Sequence, residues 1–306
     1  CLYPRICVLS QPGPEQCPSI LLCERGGNIT QSRRDNLFDM KEELRIVLVQ
    51  ENVQWEDKRA NLDHLQNRLA SLKEVDIVVL PEMFTTGFSM NTKELAEDMS
   101  GESVSWMKAQ AKDLNAVIVG SLIIEDGGQC YNRLVWASPD GKVQHYNKRH
   151  LFSFAEEDDF YTAGTDRLIV EWEGWKICPL VCYDLRFPVW SRNQKLDGTS
   201  TNFEYDLMIF VANWPEARRR PWINLLEARA HENQAYVAGV NRIGTDGNGI
   251  TYSGDSAVYS PKGNLLTDFE KDESGLRTAT ILKSELEAFR SKFGAWRDKD
   301  TFNLRQ

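Results

Sequence analysis

The alternation of apolar and polar residues along the chain predicts strands that alternate with helices. Residues 44–50 and 116–124 are mostly apolar runs of strand length, which is typical of strands buried on both faces. Between them, four leucines in residues 62–72 repeat at intervals of three and four, so they predict a helix with one apolar stripe. A second helix is expected at residues 104–114.

The same pattern continues to the end of the chain. Further strands are predicted at residues 76–81, 131–137, 143–146, 168–172, 175–181, 205–212, 235–241 and 256–260, and further helices at 222–234 and 282–293. The turn sequence Pro139-Asp140-Gly141-Lys142 predicts a hairpin. Strands that alternate with helices require a sheet covered by helices, and the hairpin makes that sheet mixed. The expected fold class is therefore α/β.

The first 42 residues differ from the rest of the chain. They contain four of the seven cysteines and the sequence Pro12-Gly13-Pro14, and they show no sustained hydrophobic period. We therefore expect a disordered N-terminal extension at residues 1–42 and one domain at residues 43–306. The chain begins with Cys1, which leaves open a fragment, a processed form or a translated leader.

Composition and charge exclude several classes of function. The 306 residues are 42% hydrophobic and 26% charged, which is ordinary for a globular protein. The formal net charge of -9 argues against a nucleic-acid-binding surface, because phosphate binding requires a basic stripe. No run approaches the roughly 18 apolar residues of a membrane span. The basic run Arg218-Arg219-Arg220 is either a solvated helix start or an anion contact.

The cysteines have no paired spacing and no zinc-binding pattern, so we expect no metal. A reduced, cytoplasmic setting fits them best. One of them has a special position, because Cys182 ends the predicted strand at residues 175–181 and a polar turn follows it. Open α/β sheets bind their ligands at the carboxyl ends of strands, so Cys182 is a candidate nucleophile.

A cysteine nucleophile needs a neighbour that activates it, because a free thiol is only a few per cent thiolate at neutral pH. None of the four histidines has a neighbourhood typical of a catalytic base; they are His64, His145, His150 and His231. Two other groups stand out. Glu82 follows the predicted strand at residues 76–81, and Lys148 follows the one at residues 143–146.

These three residues and their neighbours resemble the nitrilase superfamily, the carbon–nitrogen hydrolases. The motifs are Pro81-Glu82, Lys148 before His150-Leu151-Phe152, and Cys182-Tyr183-Asp184-Leu185-Arg186-Phe187, in the order and spacing of that family's Glu-Lys-Cys triad. The resemblance extends from about Leu44 to the C-terminus. Three further segments are similar to the bacterial-type omega-amidase branch; they are residues 184–193, 211–215 and 241–249.

The resemblance implies a nitrilase-like four-layer αββα sandwich with mixed sheets, which assembles as a homodimer or a higher homo-oligomer. It implies that Cys182 attacks the substrate carbonyl, that Glu82 is the general base, and that Lys148 stabilises the negatively charged oxygen. The backbone N–H of Tyr183 is the second donor to that oxygen. A thioester intermediate follows, and no cofactor is implied.

The resemblance also implies a second glutamate that holds the lysine. Glu157 has the expected spacing before Gly164, and its neighbour Glu156 is the alternative. Arg186 is a candidate to bind a substrate carboxylate; the alternative is a salt bridge with Asp184 or another acid. Two aromatic residues are candidates to contact the substrate, or else they only pack, namely Trp214 and Phe88.

The expected function is an omega-amidase, which releases ammonia from the terminal amide of a short 2-oxo dicarboxylic acid monoamide. 2-Oxoglutaramate and 2-oxosuccinamate are the expected substrates. The alternatives are an aliphatic amidase, an N-carbamoyl hydrolase or a nitrilase with the same triad, or a non-catalytic binding protein on this fold. The expected partner is a small molecule, with neither nucleic acid nor membrane involved.

Overall fold

The structure is a computed structural model that describes residues 41–194 and 202–300. Its strands, in chain order, are β1 (Glu43–Gln50), β2 (Ile77–Val79), β3 (Val117–Asp126), β4 (Gln129–Ala137), β5 (Val143–Asn147), β6 (Val170–Trp172), β7 (Trp175–Val181), β8 (Leu207–Ala212), β9 (Tyr236–Asn241), β10 (Ile243–Thr245), β11 (Thr251–Ser253), β12 (Ala257–Tyr259), β13 (Leu265–Asp268) and β14 (Gly275–Leu282).

The helices, in chain order, are α1 (Lys58–Leu69), α2 (Thr92–Leu95), α3 (Glu102–Leu114), α4 (Glu157–Phe160), α5 (Pro188–Ser191), α6 (Arg219–Asn233) and α7 (Lys283–Lys292). Short 3₁₀ turns lie at Ser153–Ala155, Cys182–Arg186, Glu216–Arg218 and Ala295–Asp298. None of the helices in the part of the chain described here is long and apolar enough to cross a membrane.

Twelve of these strands form two six-stranded sheets with the same pattern of pairing. The first sheet has the order β14-β1-β2-β3-β4-β5, and the second has the order β13-β12-β9-β8-β7-β6. In each sheet three central strands run parallel, β1-β2-β3 in the first and β7-β8-β9 in the second, and the outer pairings are antiparallel. Both sheets are mixed, so the predicted α/β class is confirmed.

The side chains of β1 show how the layers are arranged. Leu44, Ile46 and Leu48 belong to the apolar cluster that joins the inner faces of the two sheets. Val47 and Val49 point the other way and pack with α1 and α3. Helix α6 covers the outer face of the second sheet, so the layers run helix, sheet, sheet, helix. The order predicted from the resemblance is therefore present.

Helix α1 begins earlier and ends earlier than the leucine pattern suggested. The side chain of Asp57 accepts a 3.0 Å hydrogen bond from the N–H of Ala60, which caps the first turn. The helix ends at Leu69, so Leu72 lies beyond it. Leucines at positions 62, 65 and 69 are buried, and burial of each contributes about 1.5–3 kcal/mol.

The predicted N-terminal extension falls almost wholly outside the described residues. Its last two residues, Lys41 and Glu42, are described, and both contact the domain. The N–H of Lys41 donates to the carbonyl of Glu173 at 3.0 Å, and its carbonyl accepts from the indole of Trp175 at 2.9 Å. The rest of that extension, residues 1–40, lies outside the described residues.

A buried carboxylate, Asp184, joins the two sheets beside the 3₁₀ turn that follows β7. Its Oδ2 accepts from the hydroxyl of Tyr146 on β5 at 2.8 Å and from the N–H of Val181 at 3.0 Å. Its Oδ1 contacts both the N–H and the ring Nδ1 of His150, at 3.1 Å and 2.7 Å. Asp184 therefore fixes the end of β7 against the segment that follows β5.

We predict that Asp184→Asn lowers the free energy of unfolding by about 3 kcal/mol, because an amide cannot accept from all four neighbouring donors. Urea unfolding measures this change. Asp113→Asn is the matched control, because Asp113 is exposed on α3 and forms no salt bridge with another residue in the described part of the chain. Equal stabilities of the two variants would contradict the role assigned to Asp184.

Candidate active site

Cys182 stands where β7 changes into a 3₁₀ turn. Its φ angle is +44°, in the left-handed region that a residue with a side chain rarely adopts. Such a conformation costs about 1–3 kcal/mol and persists only where the surrounding structure imposes it. The Cys182 side chain is 8% exposed and lines a pocket with about 470 Å³ of empty volume, part of it open to solvent.

The pocket combines the thiol with cationic and aromatic side chains. Lys148 and Cys182 both line it, so the structure brings these two predicted site residues together. The other lining residues in the described part of the chain are Phe88, Phe152, Ala155, Tyr183, Arg186, Asn213, Trp214, Pro215, Arg218, Ile250 and Tyr252.

The ammonium group of Lys148 lies between two buried carboxylates. Its Nζ is 3.0 Å from Oε1 of Glu82, and it is 3.0 Å and 2.8 Å from the two carboxylate oxygens of Glu157. All three side chains are at most 1% exposed. Buried charges of this kind require partners, because removing one partner leaves an uncompensated charge that costs several kcal/mol.

Two asparagines hold the carboxylates in place. Nδ2 of Asn132 donates to Oε1 of Glu82 at 2.7 Å and to Oε1 of Glu157 at 3.1 Å. The backbone N–H of Asn213 donates to Oε2 of Glu82 at 2.7 Å. Neither asparagine was predicted from the sequence as a site residue. The segment at 211–215 was a signal for Asn213, whereas Asn132 lies within β4 and looks like an ordinary polar strand residue.

The structure also separates the two candidates for the second glutamate. Glu157 is the first residue of α4 and is 0% exposed, and its Oε2 accepts from the N–H of Phe152 at 2.6 Å. Glu156 is exposed, with a left-handed φ of +59° that turns the chain into α4. Only Glu157 contacts Lys148 among these two residues.

The charges in this cluster perturb one another. Burial alone would lower the pKa of Lys148, but the carboxylates of Glu157 and Glu82 outweigh it and raise that pKa, so the ammonium stays charged. Burial raises the pKa of Glu157; Lys148 opposes this rise and Glu82 adds to it. The titrations of such neighbouring groups are coupled.

The surroundings of the Cys182 thiol favour its protonated form. Burial, together with the negative charge of Glu82, raises the pKa of this thiol well above its ordinary value, and Lys148 only partly opposes the rise. The thiol donates to the carbonyl of Asn213, with 3.9 Å between Sγ and that oxygen, and it also lies within hydrogen-bonding reach of the Glu82 carboxylate. Any nucleophilic attack by Cys182 therefore needs a base that takes its proton.

The remaining candidates line the same pocket. The guanidinium of Arg186 lies 4.8 Å from the ring centroid of Trp214. It makes no salt bridge with Asp184 or any other acid in residues 41–194 and 202–300, so that alternative is wrong for the described part. Phe88 contacts Lys148, with 5.2 Å between Nζ and the ring centroid. The N–H of Tyr183 lies in the first turn of the 3₁₀ segment, where amides have no partner within the turn.

The described residues contain no group of three or more histidine, cysteine, aspartate or glutamate side chains arranged to hold a metal ion. The side chains of the site that can act chemically include a thiol, an ammonium and two carboxylates, of Cys182, Lys148, Glu82 and Glu157. Together they can form a covalent bond, move a proton and stabilise negative charge on an oxygen.

The chain is similar to known carbon–nitrogen hydrolases. Residues 45–291 match the family model described as carbon-nitrogen hydrolase. The omega-amidase YafV of Escherichia coli strain K12 is 46% identical over 263 residues, which are 85% of this chain and 98% of the relative. The 2-oxoglutaramate amidase of Bacillus subtilis strain 168 is 33% identical over 218 residues, which are 70% of this chain and 82% of the relative.

Solved structures give the same result. A CN-hydrolase superfamily protein of Xanthomonas campestris, with an arsenic adduct in its active site, superposes with a TM-score of 0.84 at 45% identity. The match covers 87% of this chain and 100% of that protein. Nit3 of Saccharomyces cerevisiae shares the fold, with a TM-score of 0.72 at 22% identity over 83% of this chain and 95% of its own. By these matches and by its own motifs, the chain belongs to the carbon–nitrogen hydrolases of the nitrilase superfamily.

Proposed function

We propose that this protein is an omega-amidase, which hydrolyses the terminal amide of a short 2-oxo dicarboxylic acid monoamide through a thioester on Cys182. The observation that carries the proposal is the Lys148 ammonium, bound to Glu82 and Glu157 in the pocket that also contains the thiol. 2-Oxoglutaramate and 2-oxosuccinamate are the proposed substrates. A cytoplasmic location and a homo-oligomeric state stay predictions.

The proposed reaction begins with proton transfer from the thiol of Cys182 to the carboxylate of Glu82 as the sulfur attacks the amide carbonyl. The carbonyl oxygen becomes negative, and it is stabilised by the Lys148 ammonium and the N–H of Tyr183. One such donor is worth roughly 3–4 kcal/mol in another hydrolase. Glu82 then passes the proton to the amide nitrogen, the carbon–nitrogen bond breaks, and ammonia leaves.

The second half of the reaction repeats this proton movement with water. The thioester on Cys182 is attacked by a water molecule whose proton goes to Glu82. The carbon–sulfur bond then breaks, and the sulfur regains the proton as the oxo acid is released. Lys148 keeps its charge in both halves, because the carboxylate of Glu157 stays beside it while Glu82 carries the proton.

The proposed substrate class has two supports. Relatives that are 46% and 33% identical carry the names omega-amidase and 2-oxoglutaramate amidase. In addition, Arg186 lines the pocket four residues after Cys182, and a guanidinium binds a carboxylate through two parallel hydrogen bonds. If Arg186 holds the substrate carboxylate, the distance from Arg186 to Cys182 selects substrates by their chain length. Trp214 closes the apolar side of the pocket.

An ammonia-release assay over a panel of substrates tests the proposal. The panel contains 2-oxoglutaramate, 2-oxosuccinamate, glutamine, asparagine, an N-carbamoyl amino acid and a simple nitrile. We expect the two oxo-acid amides to have the highest kcat/KM. Faster turnover of the nitrile or of the carbamoyl compound would assign the same site to a different reaction. No turnover of any compound would favour a non-catalytic binding protein.

We predict that Cys182→Ala and Cys182→Ser lower kcat by at least about a thousandfold, because no other group replaces the nucleophile. The matched control is Cys130→Ser, since Cys130 is a free cysteine that does not line the pocket. Mass spectrometry of acid-quenched wild-type protein should find the acyl group on the peptide with Cys182. Appreciable activity of the alanine variant would end the thioester mechanism.

We predict that activity falls on the acid side as Glu157 becomes protonated, and that this fall begins above the pH at which an ordinary glutamate titrates. The sign follows from burial, which raises the pKa of Glu157, so the folded protein binds this proton more readily. A glutamine side chain at this position resembles the protonated form of Glu157. Glu157→Gln should therefore lower kcat/KM at neutral pH by about tenfold and flatten the acid side of the profile.

The matched control for this pH profile is Glu156→Gln, because Glu156 is the exposed neighbour of Glu157. It should leave the profile as in the wild type. The same acid fall in Glu157→Gln as in the wild type would show that another group sets it.

We predict that Arg186→Lys lowers kcat/KM for 2-oxoglutaramate by about 10- to 100-fold, because an ammonium cannot make the paired hydrogen bonds of a guanidinium. The kcat/KM for pentanamide, a neutral amide of the same length, should fall much less. Steady-state kinetics with both amides measures the difference. Equal losses would show that Arg186 supports the turn after Cys182 and does not bind the substrate.

A further inference from the structure

The charge of the pocket lining differs in sign from that of the whole chain. Of the described residues that line it, three are cationic, namely Lys148, Arg186 and Arg218, and none is acidic. The chain as a whole carries a formal charge of -9. A positive pocket on an acidic protein selects anions, because potentials inside a cleft act at close range and with little screening.

Two of these three cations lack a carboxylate partner. The charge of Lys148 is more than balanced by Glu82 and Glu157, but neither Arg186 nor Arg218 makes a salt bridge within residues 41–194 and 202–300. Aromatic rings hold both guanidiniums instead. Arg186 lies over Trp214, and Arg218 lies 5.1 Å from the ring centroid of Phe152. An aromatic face positions a cation without cancelling its charge, so both guanidiniums can still bind an anion.

Arg218 differs from the two arginines that follow it. Arg219 makes a bidentate contact with Asp255, at 2.6–2.9 Å. Arg220 is exposed on α6. Arg218 is the N-cap residue of α6, and the first turn of that helix contains no acidic residue. The N-terminus of a helix disfavours positive charge, so the helix itself does not stabilise the Arg218 guanidinium. Arg218 lines the pocket with its guanidinium over Phe152, and this position is not that of a solvated helix start.

Trp214 fixes the two free arginines relative to each other. Its indole Nε1 donates to the carbonyl of Arg218 at 2.8 Å, while its ring face contacts Arg186. The backbone N–H of Trp214 donates to Oδ1 of Asn241 at 2.8 Å, which anchors the tryptophan to the end of β9. Arg186 and Arg218 are thus placed at one pocket by a single, well-anchored side chain.

We infer that Arg218 is a specificity-determining residue, which together with Arg186 binds the 2-oxo acid end of the substrate and repels the ammonium group of amino-acid amides. This inference rests on the proposed omega-amidase function. It adds a second guanidinium to the substrate site. It also explains how the site could distinguish a 2-oxo acid from the 2-amino acid of the same length, which selection by chain length does not do.

The chemistry of the two substrate ends supports this assignment. A 2-oxo acid presents three oxygens that all accept hydrogen bonds, two on the carboxylate and one on the ketone. Two guanidiniums provide only donors, so they match all three. Glutamine and asparagine have an ammonium group in place of the ketone oxygen. Next to two uncompensated cations this group is repelled, and such a repulsive element is a common source of specificity.

The test compares Arg218→Met with Arg220→Met. Methionine keeps an apolar stem but removes the charge. We expect Arg218→Met to lower kcat/KM for 2-oxoglutaramate by about 10- to 100-fold. The ratio of kcat/KM for 2-oxoglutaramate to that for glutamine should fall at least about tenfold. The kcat/KM for pentanamide should change less than about threefold. Arg220→Met, which alters an exposed residue of the same run, should match the wild type on all three substrates.

A binding measurement covers the case in which glutamine turnover is too slow to follow. 2-Oxoglutarate carries the same oxo-acid end, so it should inhibit pentanamide hydrolysis. Its inhibition constant should rise about tenfold or more in Arg218→Met and stay unchanged in Arg220→Met. Arg218→Lys should keep the discrimination against glutamine, because it keeps the charge, while it loses part of the affinity for the oxo acid.

Two results would overturn the inference while the proposed function stands. One is an unchanged preference for 2-oxoglutaramate over glutamine together with an unchanged inhibition constant in Arg218→Met. The other is an equal loss on pentanamide, which would mean that Arg218 only supports the start of α6. Failure of the proposed function looks different, because the wild-type protein would then release no ammonia from either oxo-acid amide.

Discussion

The ion cluster around Lys148 is the interaction on which the rest of the site depends. One ammonium binds two carboxylates, of Glu82 and Glu157, and all three are buried. With two negative charges and one positive charge, the cluster keeps a net negative charge, which Asn132 and Asn213 partly offset through donated hydrogen bonds. That remaining charge adds to the effect of burial and raises the pKa of the Cys182 thiol. Stability and chemistry therefore depend on the same few contacts.

The sequence was sufficient for the main elements and for the three groups that meet at the pocket. Long apolar runs such as those of β1, β3 and β8 have few alternatives to a buried strand. Strand β14 had no such signal, because it lies at a sheet edge and alternates small, polar and apolar residues, and its partner β1 is over 200 residues away. Only the folded chain shows that pairing.

Side-chain contacts were harder to predict from the sequence than the helices and strands were. Spacing alone left Glu156 and Glu157 as neighbours with equal chemistry, and the choice between them depends on which one α4 turns inward. Asn132 carries no signal, because a polar residue in a strand usually faces solvent. In the sequence, Arg218 is one of three consecutive arginines. Its difference from Arg219 and Arg220 lies in the partners that the tertiary fold provides.

The site is divided between the two sheets, and this division has a consequence for how activity appears as the chain folds. Glu82 and Lys148 follow strands of the first sheet, whereas Cys182 and Asn213 follow strands of the second. A chain with only one sheet formed has either the Glu82 carboxylate and the Lys148 ammonium or the Cys182 thiol, but never all three. Under the proposed mechanism, activity therefore requires that the two inner faces have packed together, and a half-folded molecule has none.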